Sequence, residues 1–244
     1  EILALQFIAR ILAVALTVHT LEFISLKNIF ASQGLWRWDE LRQEHSLLPQ
    51  LDFLFADSKR FILFLYLRFF IAILFFFFPF NPFFALFLFL STWALAVRFR
   101  GSFNGGSDYM SLLLLLSLSV ANFKATPKVQ AGVLWYMALQ ACSSYFIAGL
   151  VKIKQSDWRT GKALTHFIKS PNYNPPPIAR RIFDQRQMAW FCSWIVMLVE
   201  LAFPLILISG KKAAVIWLML GFLFHLANAI LFGLNRFLII WMAT

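Results

Sequence analysis

Tyr145-Phe-Ile-Ala-Gly-Leu-Val-Lys-Ile-Lys-Gln-Ser-Asp-Trp-Arg-Thr-Gly161 passes from apolar to polar within a few residues. The run that leads into it, Ala131 to Val151, has the length and composition of a segment that crosses hydrocarbon. Lys152 then brings a charge, and Trp158 follows, a residue type that favours the boundary between membrane and water. The stretch reads as the end of a transmembrane helix, and the rest of the chain is read outward from it.

Composition fixes the solvent. The chain is 61% hydrophobic, 18% aromatic and 14% charged, with 30 Phe among its 244 residues, and its mean hydropathy is +0.73. A water-soluble domain of that make-up would aggregate, so the sequence implies an integral membrane protein whose first partner is the lipid bilayer. The formal net charge of +11 does not point to nucleic acid. Its lysines and arginines sit in connections between apolar runs, where they orient membrane proteins. Cys142 and Cys192 lie inside apolar segments without metal-ligand spacing and read as buried, inert thiols.

The sequence predicts an all-α fold, a polytopic bundle of about seven to eight spans in a single domain over 1–244. The spans run from Ile2 to Ile24, Phe61 to Phe78, Phe83 to Val97, Met110 to Phe123, Ala131 to Val151, Met188 to Ser209 and Ala213 to Gly233. A partial eighth begins at Phe237. Span length, and the lack of the alternation that a lipid-facing barrel needs, favour helices over strands. The sequence starts without Met and ends within an apolar run, as a piece of a longer protein would. Arg10, His19 and Glu22 make the first run a span rather than a signal peptide.

Between the first two spans, 31–60 mixes Trp36, Arg37, Trp38, Asp39 and Glu40 with Leu47, Leu48, Leu51, Phe53 and Phe55, which suits an interfacial amphipathic segment. Pro79-Phe-Asn-Pro82 predicts a tight hairpin. In Asn104-Gly-Gly-Ser-Asp108 the glycines allow a turn, and Asp108 is expected to cap the helix that follows. The connection from Lys152 to Gln187 is long and basic, and its centre, Pro171-Asn-Tyr-Asn-Pro-Pro-Pro177, cannot be helical.

Polar groups within spans are costly and usually face a cavity or a partner. Arg68, Glu200, His225 and Asn228 are of this kind, the last two sharing one helix face. With spans that alternate in direction and a rise of about 1.5 Å per residue, Arg68 and His225 come roughly 12 Å below the face carrying 152–187 and Glu200 roughly 6 Å deeper. Pro204 is expected to disturb the helix beside Glu200. Two readings fit: a chamber lined by Lys152, Asp108, Glu200 and His225, or a buried Arg68–Glu200 pair with His225 bonded inside the bundle. No Ser-His-Asp order, metal motif or phosphate-binding glycine loop accompanies them.

Tyr145-Phe-Ile-Ala-Gly149, Lys152, Asp157-Trp158 and Gly161 resemble the segment of the vitamin K-dependent gamma-glutamyl carboxylases that carries their catalytic lysine. Phe224-His-Leu-Ala-Asn228 through Gly233, followed by Phe237, resembles a second carboxylase block, and Asn104 to Asp108 is similar to a loop of bacterial members. The chain from about residue 60 onward thus resembles the membrane domain of that family and the wider family of horizontally transferred transmembrane (HTTM) domains. The resemblance implies that Lys152 is a base towards a reduced, vitamin K-like quinone. His225 and Glu200 are its candidate catalytic neighbours, and Asn104, Asp108, Arg68, Trp158 and Asn228 candidate substrate-binding residues, Glu200 and Arg68 chosen for their charge within a span. A lysine serves as base only in its neutral form, which withdrawal from water favours.

The chain also departs from the carboxylases. Gly106 or a neighbour stands where they carry a histidine, one extra residue separates Lys152 from Asp157-Trp158, and their glutamate-capturing lumenal domain has no counterpart in these 244 residues. Other members of the wider family resemble accessory proteins for peptide maturation. Three functions are therefore carried forward: a membrane enzyme acting on a quinone or lipid-like substrate, a maturation or export partner for a secreted peptide, and a non-catalytic subunit of a membrane assembly. Orientation is open as well. Basic residues place 31–60 and 152–187 in the cytoplasm, whereas the carboxylase resemblance implies the opposite face of, in a bacterium, the inner membrane.

Overall fold

The computed structural model describes residues 1–31, 33–44, 48–99 and 105–244, and every regular element among them is helical. In chain order the longer helices are α1 (Ile2–Ser25), α2 (Ser58–Phe77), α3 (Pro82–Phe99), α4 (Gly105–Phe123), α5 (Pro127–Lys154), α6 (Lys162–Lys169), α7 (Pro177–Phe183), α8 (Arg186–Ala202), α9 (Lys211–Phe232) and α10 (Asn235–Met242). Seven stretches among the described residues are long and apolar enough to cross a membrane: α1 to α5, Arg186–Ile208 and α9. The chain is a multi-pass membrane helical bundle. The expected eighth run is the short α10, which packs against α9.

Polar residues at the span ends set the helix limits. Asp57 accepts a hydrogen bond from the Lys59 backbone N–H at the start of α2. Asn81 accepts from the N–H groups of Phe83 and Phe84 at the start of α3, with Pro82 in the position where its missing N–H costs nothing. Asp108 departs from expectation. The helix begins at Gly105, so Asp108 lies within the first turn instead of at the N-cap; it is buried, near the positive end of the helix dipole.

The chain divides into two compact units, Glu1–Leu134 with Ala243, and Trp135–Met242 with Thr244. In the first unit, α1 packs along α2 and α3 along α4. Leu5, Ile8, Ala9, Leu12, Ala13 and Leu16 form the buried face of α1. Its alanines let the backbones approach, which is what holds helices together where lipid is as apolar as the side chains. Leu3, Phe7, Leu63, Phe70 and Phe77 point outward, as a bilayer requires. Arg68 is fully buried; its Nε donates to Thr20 Oγ1 at 3.4 Å and its Nη2 to Thr92 Oγ1 at 3.0 Å, joining α2 to α1 and α3.

The segment 31–60 contains short helical turns, among them Trp38–Leu41 and Asp52–Phe55. Two of its aromatic residues turn inward: Trp38 and Phe55 are buried in a cluster with Phe23, Phe30, Phe61, Leu65, Leu95 and Phe99, whereas Phe53 is exposed. Arg98, at the end of α3, enters that cluster. Its Nη2 donates to the Trp36 carbonyl at 2.8 Å, and its guanidinium lies 5.1 Å from the Trp38 ring centroid, 5.5 Å from Phe61 and 5.6 Å from Phe55. A charge that would be costly in hydrocarbon is thereby offset by ring faces and one carbonyl.

In the second unit the connection 152–187 is largely helical rather than an extended loop. Leu164 and Ile168, one turn apart, are the buried face of α6, and Pro177 opens α7. Pro171 to Pro176 stays outside any helix, as its prolines dictate. On α8, Ala189, Ser193, Met197 and Glu200 form a single buried stripe. The α-helix ends at Ala202 and continues as the tighter 3-10 turn Phe203–Ile208, the expected consequence of Pro204.

Candidate functional site

Tyr145, Gly149 and Lys152 fall at i, i+4 and i+7 of α5 and so share one face. Each meets a different feature of the second unit. Gly149 is the point of closest approach to α8: a Cβ on it would lie 2.9 Å from the Leu201 backbone nitrogen and 3.1 Å from Glu200 Cβ. Only a residue without a side chain lets α5 come this near. One turn further on, Lys152 Nζ donates to both carboxylate oxygens of Glu200, at 2.6 and 2.8 Å. The lysine side chain is 19% exposed and the glutamate 3%, so the amine is turned inward. The Trp158 ring lies over the same nitrogen, 5.3 Å away at its centroid.

The turn after α5 is fixed by its own residues. Arg159 Nη1 donates to the carbonyls of Ile153 and Lys154 at the helix end, the usual role of a cation there. Trp194 Nε1 donates to the Arg159 carbonyl. Gly161 has a φ of +78°, and a Cβ on it would fall 2.5 Å from the Trp190 nitrogen. Residues 159–161 therefore lie beside 190–194 of α8, and Lys152 meets Glu200 ten residues beyond Trp190, about 15 Å along the helix. This corrects the depths reckoned from sequence. Successive spans do not start at one level; the first turns of α8 run alongside 156–169, and Glu200 is level with Lys152. The lysine is recessed behind that segment.

Two turns back on α5, Tyr145 Oη and His225 Nε2 are 2.5 Å apart, both groups buried. Tyr145 stacks on Phe203 with centroids 3.9 Å apart, and His225 stacks on Trp241 at 5.1 Å with Phe237 edge-on at 4.6 Å. Gly221, one turn before His225, makes room: a Cβ there would come 3.2 Å from Tyr145 Oη. His225 Nδ1 and Trp241 Nε1 are buried without a hydrogen-bond partner among the described residues.

The residues singled out from sequence fall in two units. Lys152, Glu200, Trp158 and His225 lie in the second unit, and Lys152 contacts both Glu200 and Trp158. Asn228 shares the helix of His225, but its Nδ2 donates to the Phe224 carbonyl of that same helix at 2.8 Å. Arg68 and Asp108 belong to the first unit, and Asn104 lies outside the described residues. Glu200 takes Lys152, and Arg68 donates to Thr20 and Thr92 within its own unit. Tyr145 and Gly149 were quoted in the sequence without a role of their own; their spacing from Lys152 was the signal that they share its face.

The model of the HTTM domain matches residues 109–244, a range that covers the whole of this arrangement and more than half of the chain. The chain belongs to the HTTM-domain family. No curated protein and no solved structure matches it. The HTTM match begins at Tyr109, so it includes α5, the recessed lysine, α8 and the histidine helix, and leaves α1 to α3 and the Arg98 cluster outside.

Proposed function

We propose that this HTTM-domain protein is a carboxylase-like membrane enzyme in which Lys152 takes a proton from a quinol or another lipid-like hydroxyl that reaches it from the bilayer. The observation that carries the reading is the pairing of Lys152 with both oxygens of Glu200, largely withdrawn from water. Burying two ions costs more than their attraction usually returns, so packing alone would be served as well by apolar side chains. A functional pair has another use. Once Lys152 has released its proton to water, taking one from the substrate restores an ammonium–carboxylate pair with no net charge, and the Trp158 ring faces the cation so formed.

A reduced quinone would supply the acidic hydroxyl. The side chains suit such a ring: Trp158 offers an aromatic face, and His225 Nδ1 and Trp241 Nε1 are buried nitrogens free to meet an oxygen. Lys152 holds the proton at Nζ, Glu200 fixes the direction of that nitrogen, and Tyr145 fixes the imidazole of His225. The likeness of Asn104–Asp108 to bacterial members supports an inner-membrane location.

The test uses protein in nanodiscs supplied with a reduced naphthoquinone and oxygen, with quinol consumption as the readout. Wild type is expected to exceed empty nanodiscs, and Lys152→Arg, which keeps the pair to Glu200 but does not give up its proton, is expected to fall to the empty-disc rate while eluting as the folded protein. Wild-type consumption no faster than empty discs, or an unchanged rate in Lys152→Arg, overturns the proposal. One observation favours a second reading, a partner for a secreted acidic peptide: Lys162, Arg180, Arg181 and Arg186 stand exposed along 152–187. Retention of such a peptide by the wild type, lost when Arg180 and Arg181 become Ala, would select it.

A further inference from the structure

Arg10 is exposed on α1 and has no hydrogen bond or ion pair to a protein group among the described residues. An unpartnered guanidinium on a membrane helix must find its counter-charge in water or in lipid headgroups. Its level is marked by its neighbours. Gln6, one turn earlier on the same face, and Arg10 line a groove of about 360 Å³ whose other wall is the hairpin Phe77, Phe78, Pro79, Phe80 and Asn81. That hairpin is where α2 ends and α3 begins, so Arg10 lies at the level of that hairpin even though it is well inside an apolar run.

The same end of the unit carries more positive charge. Asn122 Nδ2 donates to the Pro79 carbonyl at 3.0 Å, and Phe123 meets Phe83 edge-on. Those contacts bring exposed Lys124 to the level of the hairpin. The facing wall is apolar and open: Phe77 is 65% exposed and Phe78 59%. A guanidinium and an amide on one wall, a lysine at the same level and exposed rings opposite complement one kind of molecule.

We propose that this groove binds an anionic phospholipid, its phosphate held by the Arg10 guanidinium and the Gln6 amide and an acyl chain lying along Phe77 and Phe78. The fork of an arginine suits two phosphate oxygens at once, and the neighbouring lysine favours a headgroup of net negative charge.

The experiment is native mass spectrometry of the full chain with equal amounts of phosphatidylglycerol and phosphatidylcholine, both dioleoyl. Wild type is expected to retain phosphatidylglycerol in preference, and Arg10→Ala to retain about tenfold less, the loss expected on removing one charge-assisted pair. Lys212→Ala, which removes an exposed cation elsewhere, is expected to behave as wild type. Equal retention by Arg10→Ala and wild type, or an equal loss in Lys212→Ala, overturns the site. Should Arg10→Ala fail to fold, wild type labelled with a diazirine-bearing phosphatidylglycerol decides: cross-links on the peptides with Gln6–Arg10 and Phe77–Asn81 support the site, and labelling spread evenly over the spans overturns it.

Discussion

Lys152 and Glu200, 48 residues apart in the chain, meet through a single amine that donates to both carboxylate oxygens. Removing one partner leaves the other charge buried without compensation, which costs about 3–5 kcal/mol. Lys152→Met and Glu200→Met are each expected to lose stability on that scale. The double variant, which removes both charges, is expected to recover most of it. Denaturant titration in mild detergent, followed by circular dichroism, measures the cycle. Additive losses in the double variant would mean that the two groups are not coupled in the folded protein.

Gly149 makes that meeting possible. Gly149→Ala introduces a Cβ 2.9 Å from a backbone nitrogen, and neither backbone can give way cheaply. A loss of about 1–3 kcal/mol is expected from overpacking. Gly132, on the same helix, has nothing within 4 Å of its Cβ position, so Gly132→Ala is expected to be neutral or to stabilise by up to about 1 kcal/mol through helix propensity. Thermal unfolding of the two variants side by side separates crowding from backbone preference.

Gly161 faces two constraints at once. Its φ of +78° lies in the left-handed region, and the path of its Cβ is blocked by the Trp190 backbone. Gly161→Asn tolerates the dihedral better than Gly161→Val but not the crowding. Both are expected to loosen the 156–169 segment from α8, with the valine variant worse. Limited proteolysis, read as cleavage between Lys152 and Lys169, reports that loosening. A valine variant as resistant as wild type would show that this turn does not hold the segment.

The spans were legible because hydrocarbon thickness imposes a length and a composition that few other constraints imitate; Ile2–Ser25 and Lys211–Phe232 follow their apolar runs closely. The Tyr145–Gly161 stretch announced a site because an apolar run turns polar at Lys152, with Trp158 after it, and because its residues resemble the carboxylase segment that carries a catalytic lysine. The direct contact of Lys152 with Glu200 was not legible, although the sequence placed both at one chamber. Depth reckoned along the chain assumes that spans start level, and the stagger between α5 and α8 is set by Gly161 packing on Trp190, a contact without a sequence period. Arg98 was hidden for a related reason. It follows an apolar run and reads as a loop cation, whereas four aromatic residues from distant positions close around it. The helices at 162–169 and 177–183 were masked by the basic, proline-rich composition of their connection.

Tyr145 and His225 share one short hydrogen bond at the centre of a ring cluster. Tyr145→Phe keeps the stacking on Phe203 and removes the hydroxyl, leaving His225 Nε2 buried without that partner, a loss of about 1–3 kcal/mol. His225→Phe removes the imidazole and leaves the hydroxyl unbonded, with a similar cost. In the double variant both polar groups are gone and the rings still fill the space, so its stability is expected to exceed that of either single variant. If the bond only positions the rings, Tyr145→Phe changes stability and leaves quinol consumption at the wild-type rate. If His225 is a working part of the site, the same variant lowers consumption at least tenfold, about 1.4 kcal/mol of barrier, with the fold retained. The reading proposed for Lys152 and its neighbours expects the second result, and measuring both quantities on one preparation distinguishes them.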